Sequence, residues 1–266
     1  MLAMPVFREP EAIRAILRTD PGWAVFALGD LAPGYWEHTV WLRPASGAPV
    51  LAMLYRGFAT PVLFAMGDPS GVAPLLEEID AETDAEIDAP ALYLHVRPEW
   101  LPAIAARYPS LEPRPMWRMV LDPPAFRPER GAAVERLGPG DLAPLSALYA
   151  DGDAAGEAPG FFLPSMLENG VFFGIREGRE LVAAAGTQLV APREGVAAIG
   201  NIYTRRDRRG RGLAGAATSA VVDELLRAGL PLVALNVSVH NTPAVRVYER
   251  LGFLRYCEYV EGLARR

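Results

Sequence analysis

The chain has 266 residues, of which 51% are hydrophobic and 22% charged, so it can bury a large core and wholesale disorder is excluded. Its net charge of −6 disfavours a general nucleic-acid binder, because the phosphate backbone would be repelled. The single cysteine, Cys257, excludes an internal disulfide and a multi-thiolate metal site.

The amino terminus lacks the features of a signal peptide. Residues 1–7 do not form a basic region followed by a sustained apolar stretch, and Arg8 and Glu9 end the apolar run. No apolar run approaches the roughly 18 residues that a membrane helix needs. We therefore expect a cytoplasmic protein that does not associate with membranes.

The first half of the chain has the pattern of an α/β domain. The predicted helices are Pro10–Arg18, Val72–Ile79 and Glu99–Tyr108, and the predicted strands are Thr39–Arg43, Val50–Gly57, Pro61–Met66, Leu92–Val96 and Met116–Leu121. All five tryptophans lie in this half. We expect its aromatic residues to fill the core rather than to wall an acceptor pocket, namely Trp23, Tyr35, Trp36 and Trp41.

A break in composition divides the chain near its middle. Asp122–Gly131 contains three prolines and two charge pairs, as is typical of a linker. This places one domain at residues 1–126 and a second at 132–266, each of ordinary domain size.

The second half alternates strands and helices and predicts a mixed α/β domain. The predicted strands are Ala133–Leu137, Val171–Arg176, Leu181–Val190, Val196–Thr204, Leu232–Val237 and Phe253–Val260. The predicted helices follow Asp141 as an N-cap and cover Phe161–Asn169, Leu213–Ala228 and Thr242–Leu251. Residues 151–160 between them form an acidic, glycine-rich segment.

The segment 202–214 runs from an apolar strand through an arginine- and glycine-rich turn into a long helix. Gly210 and Gly212 allow close approach of a ligand or a positive φ. The N–H groups at the following helix start can converge on an anion, and Arg209 adds complementary charge. The pattern is neither a Rossmann fingerprint nor a Walker loop. We call residues 205–212 the phosphate loop.

Two segments together resemble the GNAT acyltransferase superfamily. Arg209-Gly-Arg-Gly-Leu-Ala214 matches its R/Q-x-x-G-x-G/A motif, and Asn241–Phe253 resembles its second signature. In the second segment the matching residues are Asn241, Ala244, Tyr248, Gly252 and Phe253. The resemblance covers roughly residues 132 to 260 and does not reach the first half by motif.

This resemblance implies a fold, a donor and a set of contacts. GNAT enzymes bind acetyl-CoA where two parallel strands splay apart, here Val196–Thr204 and Leu232–Val237. The pyrophosphate would lie on backbone amides of the loop and helix start, and the pantetheine arm would pair with the strand before the loop. The implied contact residues are Ile202, Tyr203, Thr204, Arg209, Gly210, Arg211, Gly212, Leu213, Ala214, Asn241 and Ala244. No metal is implied.

The reaction implied by the family is direct attack of an amine on the thioester, with Tyr248 as the proton donor to the leaving thiolate. Many relatives carry a glutamate on the strand before the phosphate loop, whereas this strand, Val196–Thr204, contains no acid. Glu194 lies just before this strand and could reach the site, but we expect it to be a solvated loop carboxylate. His240 is of a residue type that often acts as a base, but a single histidine is weak evidence for that role. The acidic residues of the 151–160 segment could attract a cationic amine or form an ordinary loop: Asp151, Asp153 and Glu157. A water chain is a further route for the deprotonation. The general base stays unassigned.

The first half lacks the corresponding phosphate loop. At the equivalent position Met66–Gly71 contains no arginine, while Pro69 has no N–H to donate and Asp68 would repel a pyrophosphate. The order of predicted elements nevertheless resembles that of the second half. We therefore expect two tandem GNAT-like domains of which only the second binds the cofactor; the alternative is an unrelated α/β cap.

The sequence thus predicts an N-acetyltransferase that uses acetyl-CoA as co-substrate and a small or amino-acid-like amine as acceptor. Transfer of a longer acyl chain, action on a protein amino terminus, and a non-catalytic acyl-CoA sensor stay open. Neither nucleic acid nor membrane is an expected partner. Monomer and homodimer are equally compatible with the sequence.

Overall fold

The computed structural model describes residues 7–43, 49–71, 75–76, 91–153 and 155–266. Contacts divide the chain into two compact units. Unit 1 comprises Met1–Trp117 together with Cys257–Arg266, and unit 2 comprises Arg118–Tyr256. The domain limits 1–126 and 132–266 stay predictions, and these units differ from them chiefly in the last ten residues.

Unit 1 contains short helices and a sheet. The helices are α1 (Pro10–Leu17), α2 (Val25–Gly29) and α3 (Leu101–Arg107), and the strands are β1 (Thr39–Leu42), β2 (Val50–Tyr55), β3 (Val62–Gly67) and β4 (Ala91–Val96). Two longer strands, β5 (Ser110–Leu121) and β11 (Phe253–Arg265), contain residues of both units. β1, β2 and β3 pair antiparallel in that order, β3 pairs parallel with β4, and β4 pairs antiparallel with β11. The predicted helix Val72–Ile79 lies outside the described residues except for two helical positions.

The sequence pattern explains how unit 1 forms its core. β2 is apolar at successive positions and has five buried residues in a row, as expected of a strand covered on both faces. β4 instead alternates, and its buried residues Leu92, Leu94 and Val96 pack with Trp100 and Ile104. The predicted core role holds for Trp23 and Trp41, each 1% exposed, but is wrong for Tyr35, which is 44% exposed.

Unit 2 contains the remaining elements. The strands are β6 (Glu135–Leu137), β7 (Phe172–Glu177), β8 (Glu180–Ala191), β9 (Val196–Thr204) and β10 (Leu232–Ser238), and the helices are α4 (Leu142–Asp153), α5 (Pro164–Asn169), α6 (Leu213–Arg227) and α7 (Thr242–Leu251). β6 to β9 pair antiparallel in chain order, and β9 pairs parallel with β10. The parallel pair is connected through α6, which buries eight residues.

Two local predictions about unit 2 need correction. The segment 122–131 is packed rather than a free linker. The N–H of Arg127 donates to the carbonyl of Leu251, the last residue of α7, and the N–H of Asp122 donates to the carbonyl of Gly252. The N–H of Glu129 donates to Ser219 Oγ on α6 at 2.8 Å. Asp141 does not cap α4 directly, since it ends a 3-10 turn in which its carboxylate accepts from Gly138 N–H.

The described ranges contain neither a membrane-spanning helix nor a metal-binding cluster. None of the described helices is long and apolar enough to cross a membrane. Among the same residues there is no group of three or more histidine, cysteine, aspartate or glutamate side chains that could hold a metal ion.

Candidate functional site

The strands β9 and β10 part in the middle of unit 2. Their parallel register runs from Val196 opposite Leu232 to Ile199 opposite Leu235 and then ends. Both strands continue beyond this point, β9 to Thr204 and β10 to Ser238. The edge of β9 that faces β10 therefore leaves the ladder for its last five residues. We call this gap the β9–β10 opening.

A bulge in β9 marks the start of the opening. Between the pairs Gly186–Gly200 and Ala184–Tyr203, β9 uses one residue more than β8. Asn201 lies within this bulge and has φ of +53°, an unusual conformation for a residue other than glycine. The Tyr149 hydroxyl donates to the Asn201 carbonyl at 2.8 Å, which fixes the bulge against α4.

The phosphate loop leads from β9 into α6 by two left-handed glycines. Gly210 and Gly212 both have φ of +76°, and a Cβ placed on either would meet no heavy atom within 4 Å. Gly212 is the N-cap of α6 and offers no side-chain cap, so the N–H groups of the first turn are not satisfied in that way. Leu213 and Ala214 begin the helix. This open, electropositive helix start has the chemistry to receive an anion.

The arginines of the phosphate loop are paired with carboxylates. Arg209 donates to Glu157 Oε2 at 2.7 Å and lies over the Tyr203 ring, 5.6 Å from its centroid. Arg206 donates to the same carboxylate at 3.1 Å, and Arg211 donates to Glu177 at 3.4 Å. These contacts offset much of the positive charge of the loop. They leave the backbone N–H groups and the helix dipole as its main attraction for a phosphate.

Asp151 binds both the strand and the loop. Its Oδ2 accepts from the Tyr203 hydroxyl at 2.9 Å and from the Arg206 N–H at 3.1 Å. The backbone hydrogen bond from Arg206, followed by that from Tyr203, lowers the pKa of Asp151. The hydrogen bond from Arg209 likewise lowers the pKa of Glu157. In this structure these two acids hold the phosphate loop, in addition to any attraction they exert on a cationic amine.

Asn241 caps α7, because its Oδ1 accepts from the Ala244 N–H at 3.2 Å. The cap uses only the carbonyl end of the side chain, so its NH₂ group is the end that could donate to a ligand. Ile202 and Thr204, on the free stretch of β9, are half-buried. The predicted contact residues 202–204 and 209–214 thus follow one another along a continuous path, from the end of β9 through the phosphate loop into the start of α6.

Tyr248 lies on the second turn of α7 and is 6% exposed. Its ring meets Phe253 edge to face, with centroids 6.2 Å apart. Burial raises the pKa of Tyr248. In the described part of the chain its hydroxyl has no hydrogen-bond partner, so this phenol stays protonated and its donor is available.

The candidates for a general base lie in different places. Glu194 was expected to be solvated, but it is 6% exposed and precedes the end of β9 that is still paired with β10. The paired stretch Val196–Ile199 of β9 thus separates it from the bulge. His240 is exposed and lies two residues beyond the end of β10, on the side of the opening. Asp153, the remaining acid of the acidic segment, is exposed at the end of α4.

A tryptophan lies at the corresponding place in unit 1. The parallel pairing of β3 with β4 ends at Phe64 opposite His95. Trp23 Nε1 donates to the carbonyl of the next residue, Ala65, at 3.0 Å, and its ring stacks on Phe64 at 5.3 Å. Tyr259 also contacts the indole, at 5.5 Å. The Ala65 carbonyl, just beyond the last pair of β3 with β4, therefore already accepts a hydrogen bond from a side chain of unit 1.

Sequence analysis missed three features of the site. The first is the bulge in β9, which the Gly200-Asn201 dipeptide inside an otherwise apolar strand does indicate in the sequence. Asn236, on β10 just beyond the last register pair, carries no such signal. The pairing of Glu157 with Arg209 joins residues 52 positions apart, and only the folded chain shows it.

Residues 145–253 match a family model described as the Acetyltransferase (GNAT) family. A mycothiol acetyltransferase from Pseudarthrobacter chlorophenolicus is 32% identical over 174 residues, which cover 58% of this chain and 53% of that protein. A mycothiol acetyltransferase from Renibacterium salmoninarum is 32% identical over 124 residues, 43% of this chain and 37% of that protein. The chain thus spans about half the length, or less, of these curated relatives.

Solved structures share the fold over almost the whole chain. An acetyltransferase described as GNAT-family from Novosphingobium aromaticivorans has a TM-score of 0.58 and 23% identity, and covers 91% of this chain and 96% of its own. A tandem GNAT protein from the clavulanic acid biosynthesis pathway has a TM-score of 0.59 and 15% identity, with 96% and 95% covered. The predicted mixed α/β GNAT fold is confirmed. The segment that matches the acetyltransferase (GNAT) family model, residues 145–253, includes the β9–β10 opening, the phosphate loop and α7.

Proposed function

We propose that unit 2 transfers an acetyl group from acetyl-CoA to the amine of a small molecule. The observation that carries this proposal is the β9–β10 opening, which leads directly into the uncapped start of α6 through two left-handed glycines. A strand edge without a partner and an open helix start, joined by one loop, suit a ligand with an amide-bearing arm and a phosphate at its end.

Each part of the site has a role in this proposal. The free edge of β9, at Ile202, Tyr203 and Thr204, pairs with the pantetheine arm. The backbone of residues 209–214 binds the pyrophosphate, with Gly210 and Gly212 leaving room for it. Asn241 donates its NH₂ group to the arm, and Ala244 leaves space beside it on α7.

Tyr248 supplies the proton in the proposed transfer. The amine nitrogen bonds to the thioester carbonyl carbon, the carbon–sulfur bond breaks, and the sulfur receives a proton from the Tyr248 hydroxyl. The amine loses its proton to solvent, and the Tyr248 phenolate regains one from solvent. Burial keeps the Tyr248 phenol protonated. Its raised pKa also makes it a weak acid, so stabilisation of the developing thiolate by its hydrogen bond carries part of the effect.

The acceptor is a small molecule in this proposal. The two relatives are named mycothiol acetyltransferases, and this name supports an acceptor of that kind. Unit 1 is a GNAT-like domain that binds no cofactor, and the hydrogen bond from Trp23 to the Ala65 carbonyl, just beyond the last pair of β3 with β4, supports this. We place the enzyme in the cytoplasm, with no nucleic acid or membrane as partner and without a metal.

The test is turnover by the full chain. Acetyl-CoA is incubated with a panel of small primary amines, free thiol is followed over time, and the acetylated product is identified by mass spectrometry. Consumption of acetyl-CoA with stoichiometric amide product is expected. Binding of acetyl-CoA without any turnover would instead support a non-catalytic sensor, and preferential use of longer acyl-CoA donors would support the longer-chain alternative.

A further inference from the structure

Among the described residues, two asparagine carbonyl oxygens at the β9–β10 opening lack hydrogen-bond partners. Asn201 Oδ1 and Asn236 Oδ1 are both buried, and neither accepts a hydrogen bond from any described residue. Asn201 as a whole is 4% exposed. Buried side-chain acceptors are normally satisfied, so two orphans in one place call for a missing donor.

Both residues lie where the strands part. Asn201 is in the β9 bulge, two residues after the last register pair, and Asn236 follows that pair by one residue on β10. The amide of Asn201 is oriented by Met166, because its Nδ2 approaches Met166 Sδ at 3.6 Å. That contact identifies the NH₂ end of the side chain, so the unpartnered end is the carbonyl.

We infer that the side-chain carbonyl oxygens of Asn201 and Asn236 accept hydrogen bonds from the attacking amine and position it beside the thioester. This inference rests on the proposed function. A primary amine brings at least two N–H donors and so matches two acceptors to which the described part of the chain supplies no donor. Asn201 and Asn236 are thereby positioning residues for the acceptor.

The choice of amides over carboxylates fits the chemistry. A carboxylate next to the acceptor would stabilise its ammonium form and raise the pKa of the amine. Only the neutral amine has the lone pair that attacks the thioester. Two neutral carbonyl oxygens accept its N–H groups without that penalty, which gives a physical reason for a strand without an acid before the phosphate loop.

The competing donor is the amide-bearing arm of the cofactor itself. Pantetheine amides also carry N–H groups, so they too could satisfy these oxygens. The two possibilities differ in what a variant changes. Loss of an oxygen that serves the amine raises KM for the amine and leaves acetyl-CoA affinity unchanged, whereas loss of one that serves the arm weakens acetyl-CoA.

The experiment compares matched pairs of variants of the full chain. Asn201→Gly removes the side chain and Asn201→Asp keeps an oxygen acceptor, and both tolerate a positive φ. Asn236→Leu removes the acceptor at similar volume and Asn236→Asp keeps it. Benzylamine, ethanolamine and L-alanine amide are the probes. Asn169→Ala, at the exposed end of α5, is the control for loss of an asparagine elsewhere in unit 2.

For each residue we expect KM for the amine to rise about 3- to 10-fold in the variant without the oxygen, with acetyl-CoA affinity within twofold of the native protein. The aspartate variants keep an acceptor but stabilise the ammonium form of the amine, so they should retain amine binding while their kcat/KM rises only at higher pH than in the native protein, a shift that a purely structural role would not produce. Unchanged amine KM in Asn201→Gly and Asn236→Leu would overturn the inference and leave the proposed function standing. So would a loss confined to acetyl-CoA binding, measured by calorimetry.

Two other outcomes are also decisive. If native protein binds acetyl-CoA but acetylates none of the amines, the proposed function and the inference fail together. If Asn236→Leu does not fold, as judged by its melting curve, the Asn201 pair decides alone, because a glycine at φ of +53° introduces no backbone strain.

Discussion

Trp23 Nε1 and the Ala65 carbonyl form a 3.0 Å hydrogen bond at the place where β3 and β4 of unit 1 cease to pair. In unit 2 the corresponding place between β9 and β10 is the opening. A buried indole thus packs at the end of the parallel pair in unit 1, whereas in unit 2 both β9 and β10 continue beyond their last register pair. The difference gives a physical basis for the expectation that only the second half binds the cofactor.

We therefore predict one acetyl-CoA per chain by titration calorimetry. Trp23→Phe should leave this stoichiometry and affinity unchanged, since unit 2 contains the proposed site. It should lower the free energy of unfolding by about 1–3 kcal/mol, because the buried Ala65 carbonyl loses its donor and the smaller ring leaves a gap. The midpoint of a urea transition measures the loss. Two acetyl-CoA molecules per chain would show that unit 1 binds the cofactor after all.

Glu157 offsets the charge of the phosphate loop, and its removal should favour an anionic ligand. Glu157→Gln frees Arg209 and Arg206 from their carboxylate partner, so acetyl-CoA should bind more tightly. The effect should stay below about fivefold, because both ion pairs are half-exposed. Calorimetry at low and moderate salt gives the affinity. The control is Glu168→Gln, which removes an exposed carboxylate on α5 and changes the net charge by the same amount. Equal effects in the two variants would show that net charge alone, and not the release of the loop arginines, changes the affinity.

Most of the framework of unit 2 could be predicted because its elements are bounded by local signals. β9 and α7 lie at the predicted residues, since glycines, prolines and a cap mark their ends. β11 continues to Arg265 rather than ending near Val260, and this extension pairs with β4, a contact that no local pattern announces. α2 was missed for a related reason, because it is one short apolar turn held by tertiary packing.

The site was predictable only where motifs recur. The phosphate loop and α7 were found from Arg209, Gly212, Asn241 and Tyr248, which stand at fixed spacings. The burial of a side chain could not be predicted in this way. Nothing in the neighbours of Glu194 along the chain distinguishes a buried carboxylate from a solvated one. The ion pairs of the loop also depend on residues distant in sequence and could not be derived from its composition.

Tyr248→Phe tests the proton donor. The variant keeps the ring and its contact with Phe253 but removes the hydroxyl, so kcat should fall by about 10²-fold or more while acetyl-CoA affinity changes little. The melting temperature should stay close to that of the native protein, because loss of the hydroxyl breaks no hydrogen bond to any described residue. Steady-state kinetics with a saturating amine measure kcat. Full activity in a folded variant would make Tyr248 a packing residue.

Asp30 in unit 1 predicts a pH dependence of stability. Burial raises the pKa of Asp30 to about 7, well above its ordinary value of roughly 3.9. Between about pH 4 and pH 7 the folded state therefore binds more protons than the unfolded state, and stability falls as the pH rises through this window. Asp30→Asn removes this titration. The variant should be more stable than native protein at pH 8, with a smaller gain at pH 5.

Urea midpoints at pH 5, 6, 7 and 8 measure this dependence. Asp68→Asn is the control of opposite sign, because the Ser70 N–H lowers the pKa of Asp68 and its carboxylate is mildly stabilising at neutral pH. A difference between Asp30→Asn and native protein that stays constant across this range would contradict the raised pKa.

The binding of acetyl-CoA at the phosphate loop is tested most directly by a pair of glycine variants at the two ends of α6. Gly212 and Gly229 have nearly the same backbone, with φ of +76° and +77°, and equally open surroundings. Valine at either position carries a similar strain, about 1–2 kcal/mol. Only at Gly212 would the new side chain also lie at the proposed pyrophosphate site. Calorimetry should show that Gly229→Val binds acetyl-CoA like native protein and that Gly212→Val does not bind it; native affinity in a folded Gly212→Val would contradict the account.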